Sequence, residues 1–253
     1  MKRFLIKFFI VLSLCFFAAT NLFANQISQD ELVKSFININ KELRLPEIKN
    51  KLEYFKSLVP LKGSYEELAS GWLYFDDHND KLLIGSSGAI FCGNTMQKEL
   101  LYQYGYDVVG FGGIFDEEVI ELMRLLPDKK YKTIVIFGGV NDLNIRAFSN
   151  INNIDLYYCS ILNGMFDEAK NHLLIDNSNI YYIKIKPMTL NVDSFDPGFL
   201  IRYNNMVSQV NDNIELFGYK SYMIPFDTSS LFSEHYIHYN NQIVYKTMFE
   251  TIK

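Results

Sequence analysis

The sequence predicts a three-layer α/β/α domain built on a mainly parallel, five-stranded sheet. Three observations lead there. From Lys81 onward, short apolar runs without polar alternation recur, as expected of strands buried on both faces. Amphipathic segments of helical length separate those runs, the pattern of strand-helix-strand crossovers. No repeat, low-complexity tract or Pro/Gly-rich linker interrupts the alternation, so 80–253 reads as one domain. The chain has 253 residues, 49% of them hydrophobic, which suits one domain with a substantial core.

Residues 1–25 stand apart. Lys2, Arg3 and Lys7 precede an apolar stretch over 8–19, and Leu22-Phe23-Ala24 offers a cleavage site. This is the pattern of a secretory signal and predicts export, with an uncleaved signal anchor as the alternative. Leu14 before Cys15 does not suit a lipoprotein cleavage site. Without these three basic residues, the 24 Lys/Arg and 29 Asp/Glu of the full chain leave a net charge of −8. No Lys/Arg cluster remains, which argues against nucleic acid as a partner and against a membrane beyond the signal segment. Cys92 and Cys159 are the cysteines left, and the sequence allows both a disulfide and two separate thiols.

A helical preface is expected over 26–79. Ser28-Gln29-Asp30-Glu31 forms a capping-box pattern ahead of Leu32, Val33, Phe36 and Ile37, so a helix starts there. A second helical stretch is expected over 46–58, and 72–75 leads into the first strand. The strands are expected at 82–84, 107–109, 133–137, 180–185 and 221–224. The helices between them are expected at 96–104, 117–126, 154–173 and 199–217, with a last one over 241–252. Gly218 suits the position after a helix C-terminus.

Ligands of such sheets collect beyond the carboxyl ends of the strands. After the first strand stands Gly85-Ser86-Ser87-Gly88, and after the second Gly110-Phe111-Gly112-Gly113. After the third comes Gly138-Gly139-Val140-Asn141-Asp142, and after the fifth Glu234-His235-Tyr236-Ile237-His238. Taken singly, each has a plain reading: turn glycines, a helix cap, a packed or solvated histidine. Taken together, they supply a hydroxyl, an imidazole and uncharged N–H donors, the set that acyl transfer requires. His78, in "DDHND", reads as part of a polar loop, and His172 as a solvated helix residue. The glycines at 110, 112 and 113 lack the third glycine of a nucleotide-binding loop, because Phe115 holds that place. No zinc or calcium ligand spacing is present.

In order and spacing these blocks resemble those of the SGNH-type (GDSL-like) hydrolases. That family carries Gly-Asp-Ser, a loop Gly, Gly-x-Asn-Asp and Asp-x-x-His. Here the blocks read Gly85-Ser86-Ser87, Gly113, Gly139-Val140-Asn141-Asp142 and His235-Tyr236-Ile237-His238. The resemblance covers roughly 80–253 and implies a flavodoxin-like sheet. It also implies Ser87 as nucleophile and His238 as general base, then acid. The Gly113 N–H, the Asn141 amide and the Ser87 N–H would form the oxyanion hole, without metal or cofactor.

Two positions depart from the family. Ser86 replaces the first-block Asp, where its hydroxyl is expected to cap the helix. His235 replaces the Asp that orients the catalytic imidazole, and Glu234 is the preferred substitute, with a backbone-supported Ser-His dyad as the alternative. The resemblance implies an exported serine esterase acting on short-chain, for example O-acetyl, esters of small molecules or carbohydrate. A catalytically silent binding domain and an acyltransferase using the same residues are the alternatives.

Overall fold

Ser28 opens the first helix as its capping pattern predicts. Its Oγ accepts the Glu31 N–H at 3.3 Å, while its own N–H donates to the Glu31 carboxylate at 2.9 Å. The computed structural model describes residues 28–57, 64–68, 71–175, 179–188, 197–224 and 241–252; the expected signal segment lies outside them. Helix α1 (Gln29–Ser57) runs unbroken through Pro46, where two helices were expected. An internal proline forfeits one backbone bond, and tertiary docking offsets that loss: Ile48 and Leu52 of α1 are buried in the core.

The remaining elements follow in order: β1 (Ser64–Leu68), β2 (Gly71–Phe75), β3 (Lys81–Gly85), α2 (Ser87–Tyr104), β4 (Tyr106–Phe111), α3 (Asp116–Leu125) and β5 (Thr133–Phe137). Then come α4 (Val140–Phe148), α5 (Leu156–Glu168) with a π turn (Ala169–Leu173), β6 (Ile180–Ile183), α6 (Pro197–Leu216), β7 (Lys220–Tyr222) and α7 (Gln242–Thr251). The sheet order is β1-β2-β4-β3-β5-β6-β7. Its last five members pair in parallel and are the five strands that the sequence predicts. The sheet gains β1 and β2, which pair with each other and with β4 in antiparallel fashion.

Alternation along the strands feeds two separate cores. Leu82, Ile84, Ile134 and Ile136 pack under α3, α4, α5 and α6. Leu83, Val108 and Val135 pack under α2 and α7, with Met96, Tyr245 and Met248. Three layers result, as expected. Two further helix differences have local causes. Helix α2 is broken at Gln97 (φ +59°, ψ +164°), so its second half is the helix expected over 96–104 and its first half, from Ser87, is additional; there Gly88 and Gly93 weaken the sequence signal while both are packed, against Phe137 and Trp72. Helix α4 is additional.

Candidate active site

The register brings the strand ends level. Gly85 at the end of β3 faces Gly110 of β4 on one side and Phe137 of β5 on the other. Ile136 of β5 faces Tyr182 of β6. The segments after β3, β4, β5 and β6 therefore leave one edge of the sheet side by side.

Ser86 and Ser87 occupy the centre of that edge. Gly85 has φ +153°, and a Cβ there would lie 1.9 Å from the Phe137 carbonyl oxygen. Only glycine lets β3 turn this closely past β5. Ser86 is buried; its N–H donates to the Phe137 carbonyl at 2.9 Å and its carbonyl accepts from Ala89 N–H at 3.0 Å. Contrary to the sequence expectation, the Ser86 hydroxyl makes no capping bond; backbone bonds hold the turn instead. Ser87 is the first residue of α2 and half-buried, where the helix N-terminus favours negative charge.

Ser87 lines a cleft of about 50 Å³ together with Phe137, Gly138, Ile185, Lys186 and Tyr245. Such a volume holds a few water-sized groups. Burial pushes the Lys186 ammonium down to about 8. Neither Gly113 nor Asn141 lines this cleft.

Those two residues lie where the loops after β4 and β5 meet. Asn141 Nδ2 donates to the Ile114 carbonyl at 2.7 Å, using one of the two N–H groups of its amide. Gly113 is exposed, with φ +75°, and its carbonyl accepts from Arg44 Nη1 at 2.7 Å. Because β3 lies between β4 and β5 in the sheet, the Asn141–Ile114 bond links the loops flanking the Ser87 turn.

Two buried carboxylates brace the same junction; sequence reasoning names Asp142 only as part of the third block and passes over Asp116. Asp116 Oδ1 accepts the Gly139 N–H at 2.7 Å, and Oδ2 accepts the Tyr158 hydroxyl at 2.7 Å. Asp142 Oδ2 accepts the Asp116 N–H at 3.0 Å. Burial pushes Asp116 up to about 6. Burial, and then the charge of Asp116, holds Asp142 well above the usual carboxylate range. The acidic run Asp116-Glu117-Glu118 at the start of α3 was the available signal.

Glu234, His235 and His238 lie outside the described residues. Helix α7 follows them, with the Asn241 side chain capping it by accepting from Ile243 N–H at 2.9 Å. The other histidines stand apart, as the sequence suggests. His78 is exposed with Nδ1 2.9 Å from Asp76, and His172 is exposed with Nε2 3.3 Å from Glu168. Among the described residues no cluster of His, Cys, Asp and Glu could hold a metal, and no helix is long and apolar enough to cross a membrane. Cys92 and Cys159 are free thiols.

No protein-family model and no curated protein matches the chain. Solved structures similar to it include a putative lipolytic protein of the G-D-S-L family from Desulfitobacterium hafniense DCB-2. That protein is 13% identical, and the match covers 68% of this chain and 97% of the other, with a TM-score of 0.43. A second solved structure is 15% identical over 69% of this chain and 95% of its own, with a TM-score of 0.44.

Proposed function

We propose that the protein is an exported serine esterase that removes short acyl groups, such as O-acetyl, from small-molecule or carbohydrate esters. One observation carries this reading most directly. Ser87 lines a cleft at a helix N-terminus, at the sheet edge where the Gly113 and Asn141 loops also emerge.

In the proposed reaction the Ser87 hydroxyl attacks the acyl carbonyl and its proton passes to His238. Oxyanion charge is met by the Ser87 and Gly113 N–H groups and the remaining N–H of Asn141. The carbon–oxygen bond to the alcohol breaks, and His238 protonates that leaving oxygen. Water then attacks the acyl-enzyme; its proton goes to His238 and on to Ser87, releasing the carboxylic acid. Glu234 orients the His238 ring. Tyr245 of α7 lines the cleft, and His238 precedes the cap Asn241 by three residues, at most about 11 Å of chain. The small cleft favours a short acyl group.

The test is hydrolysis of p-nitrophenyl acetate and labelling by a fluorophosphonate. The wild-type protein should do both and Ser87→Ala neither. Unchanged hydrolysis by Ser87→Ala would remove Ser87 from the mechanism. A second reading, a catalytically silent binding domain, draws on Ser86 and His235 standing where the resembled family has Asp. It predicts an unlabelled Ser87 in the wild-type protein. An acyltransferase would instead label and transfer acyl to an acceptor alcohol faster than to water.

A further inference from the structure

We infer that Arg44, on the N-terminal helix outside the hydrolase-like body, is a positioning residue that holds the Gly113 peptide in place as an oxyanion donor. This role rests on the hydrolase reading of Ser87. Arg44 reaches across from α1 and grips three groups at once. Its Nε and Nη2 donate to the two oxygens of Glu118, at 2.9 and 2.5 Å, and its Nη1 donates to the Gly113 carbonyl at 2.7 Å. The guanidinium also stands 5.0 Å from the centroid of the Phe115 ring.

The peptide that follows is held as well. The Ile114 carbonyl accepts from Asn141 at 2.7 Å, and the Phe115 N–H of that same peptide donates to Glu118 at 2.7 Å. Two consecutive peptide planes, Gly113–Ile114 and Ile114–Phe115, are thus fixed by Arg44, Asn141 and Glu118. The Gly113 N–H lies one Cα away from the first of them. Glycine is the residue whose backbone wanders most when unrestrained, and the Arg44 bond fixes the peptide on its carbonyl side. Asn141 therefore does not set this loop alone.

The side-chain chemistry explains why arginine stands there. The Glu118 side chain is fully buried, so its charge requires a hydrogen-bonded cation. A guanidinium fork binds a carboxylate with two N–H groups and has a third nitrogen for the carbonyl. A lysine ammonium has no such span. Lys41, one turn earlier in α1, donates to Glu117 at 3.1 Å, so the helix is docked at two points on α3. The helical preface thereby becomes part of the site rather than a brace remote from it.

The experiment compares wild type with Arg44→Lys, which keeps a cation beside Glu118 and gives up the Gly113 contact. We expect kcat on p-nitrophenyl acetate to fall about tenfold or more, short of complete loss of an oxyanion donor, with KM little changed. Amide exchange at 112–115 should quicken while exchange elsewhere and the melting temperature stay put. Free guanidinium ion should restore part of the rate to Arg44→Ala. If Arg44→Lys keeps wild-type kcat in a protein whose Ser87 labels with fluorophosphonate, Arg44 has no positioning role. The role also falls if the loss appears with exchange quickened throughout the protein and no guanidinium rescue, since Arg44 would then support only the fold. A wild-type protein inert to ester and fluorophosphonate alike instead overturns the hydrolase reading itself.

Discussion

Asn141 donates its side-chain N–H to the carbonyl of Ile114 at 2.7 Å, tying the loop after β5 to the loop after β4 beside the Ser87 turn. Asn141→Ala removes both that tie and the proposed oxyanion donor. Turnover of p-nitrophenyl acetate should drop by about 10²–10³, the usual cost of one such donor. A steady-state comparison with wild type checks it, and a loss below threefold would leave Asn141 with the loop tie alone.

Gly85 approaches the Phe137 backbone so closely that a methyl group would sit 1.9 Å from its carbonyl oxygen. Backbone, not a flexible side chain, would have to yield. Gly85→Ala should destabilise the protein by more than about 4 kcal/mol, the range reserved for severe steric and backbone lesions. Urea unfolding measures it; a midpoint near that of wild type would mean that the β3–β5 contact is looser than described.

The Asp116–Asp142 pair makes stability depend on pH with a definite sign. Both carboxyls titrate above their unfolded values, Asp116 at about 6, so the folded state holds protons that the unfolded chain has released. Their contribution is intact below about pH 4, and the part due to Asp116 is lost as pH rises through about 6. Asp142→Asn deletes one of these groups. It should lose less stability than wild type between pH 4 and 7. Urea unfolding of both proteins across that interval provides the difference, and parallel profiles would contradict the assignment.

Lys186 brings a positive charge to the Ser87 cleft and titrates at about 8. An ester whose acyl group carries a carboxylate, such as a p-nitrophenyl hemisuccinate, should be favoured over the acetate below that pH. Lys186→Met should weaken the preference about tenfold, the scale of one charge-assisted hydrogen bond. The ratio of kcat/KM values for the two esters at pH 6.5 and 9 tests this. A ratio indifferent to both pH and substitution counts against it.

In the proposed mechanism Glu234 supports His238, with His235 as the alternative. A carboxylate stabilises an imidazolium that a neutral imidazole cannot, and losing such a carboxylate in serine proteases costs about 10⁴ in turnover. Glu234→Gln should therefore slow hydrolysis far more than His235→Gln. The opposite ranking would assign the role to His235.

Much of the frame was legible because buried parallel strands leave a simple trace. Leu82, Leu83 and Ile84, or Ile134, Val135 and Ile136, admit few other readings. The hairpin of β1 and β2 was not legible: "SYEEL" is polar and carries no run to mark it. Residues 140–148 hide a helix because Asn141, Asp142 and Asn144 favour turns locally, while Leu143 and Ala147 bury the face that decides the matter. In the site, the residues after the strands were readable from short motifs. Arg44, Glu118 and Asp116 were not, since their partners lie about 20 to 80 positions away and the acidic run 116–118 marks a helix start without saying what pairs with it.

The two thiols have a practical consequence. Since neither is bridged and Cys92 is sealed inside the core, the architecture owes nothing to oxidation among its described parts. Among the described residues Cys159, on the outer helix α5, is the thiol left for maleimide dyes, and a reporter attached there watches unfolding away from the sheet edge. Dithiothreitol should leave its melting curve where it was.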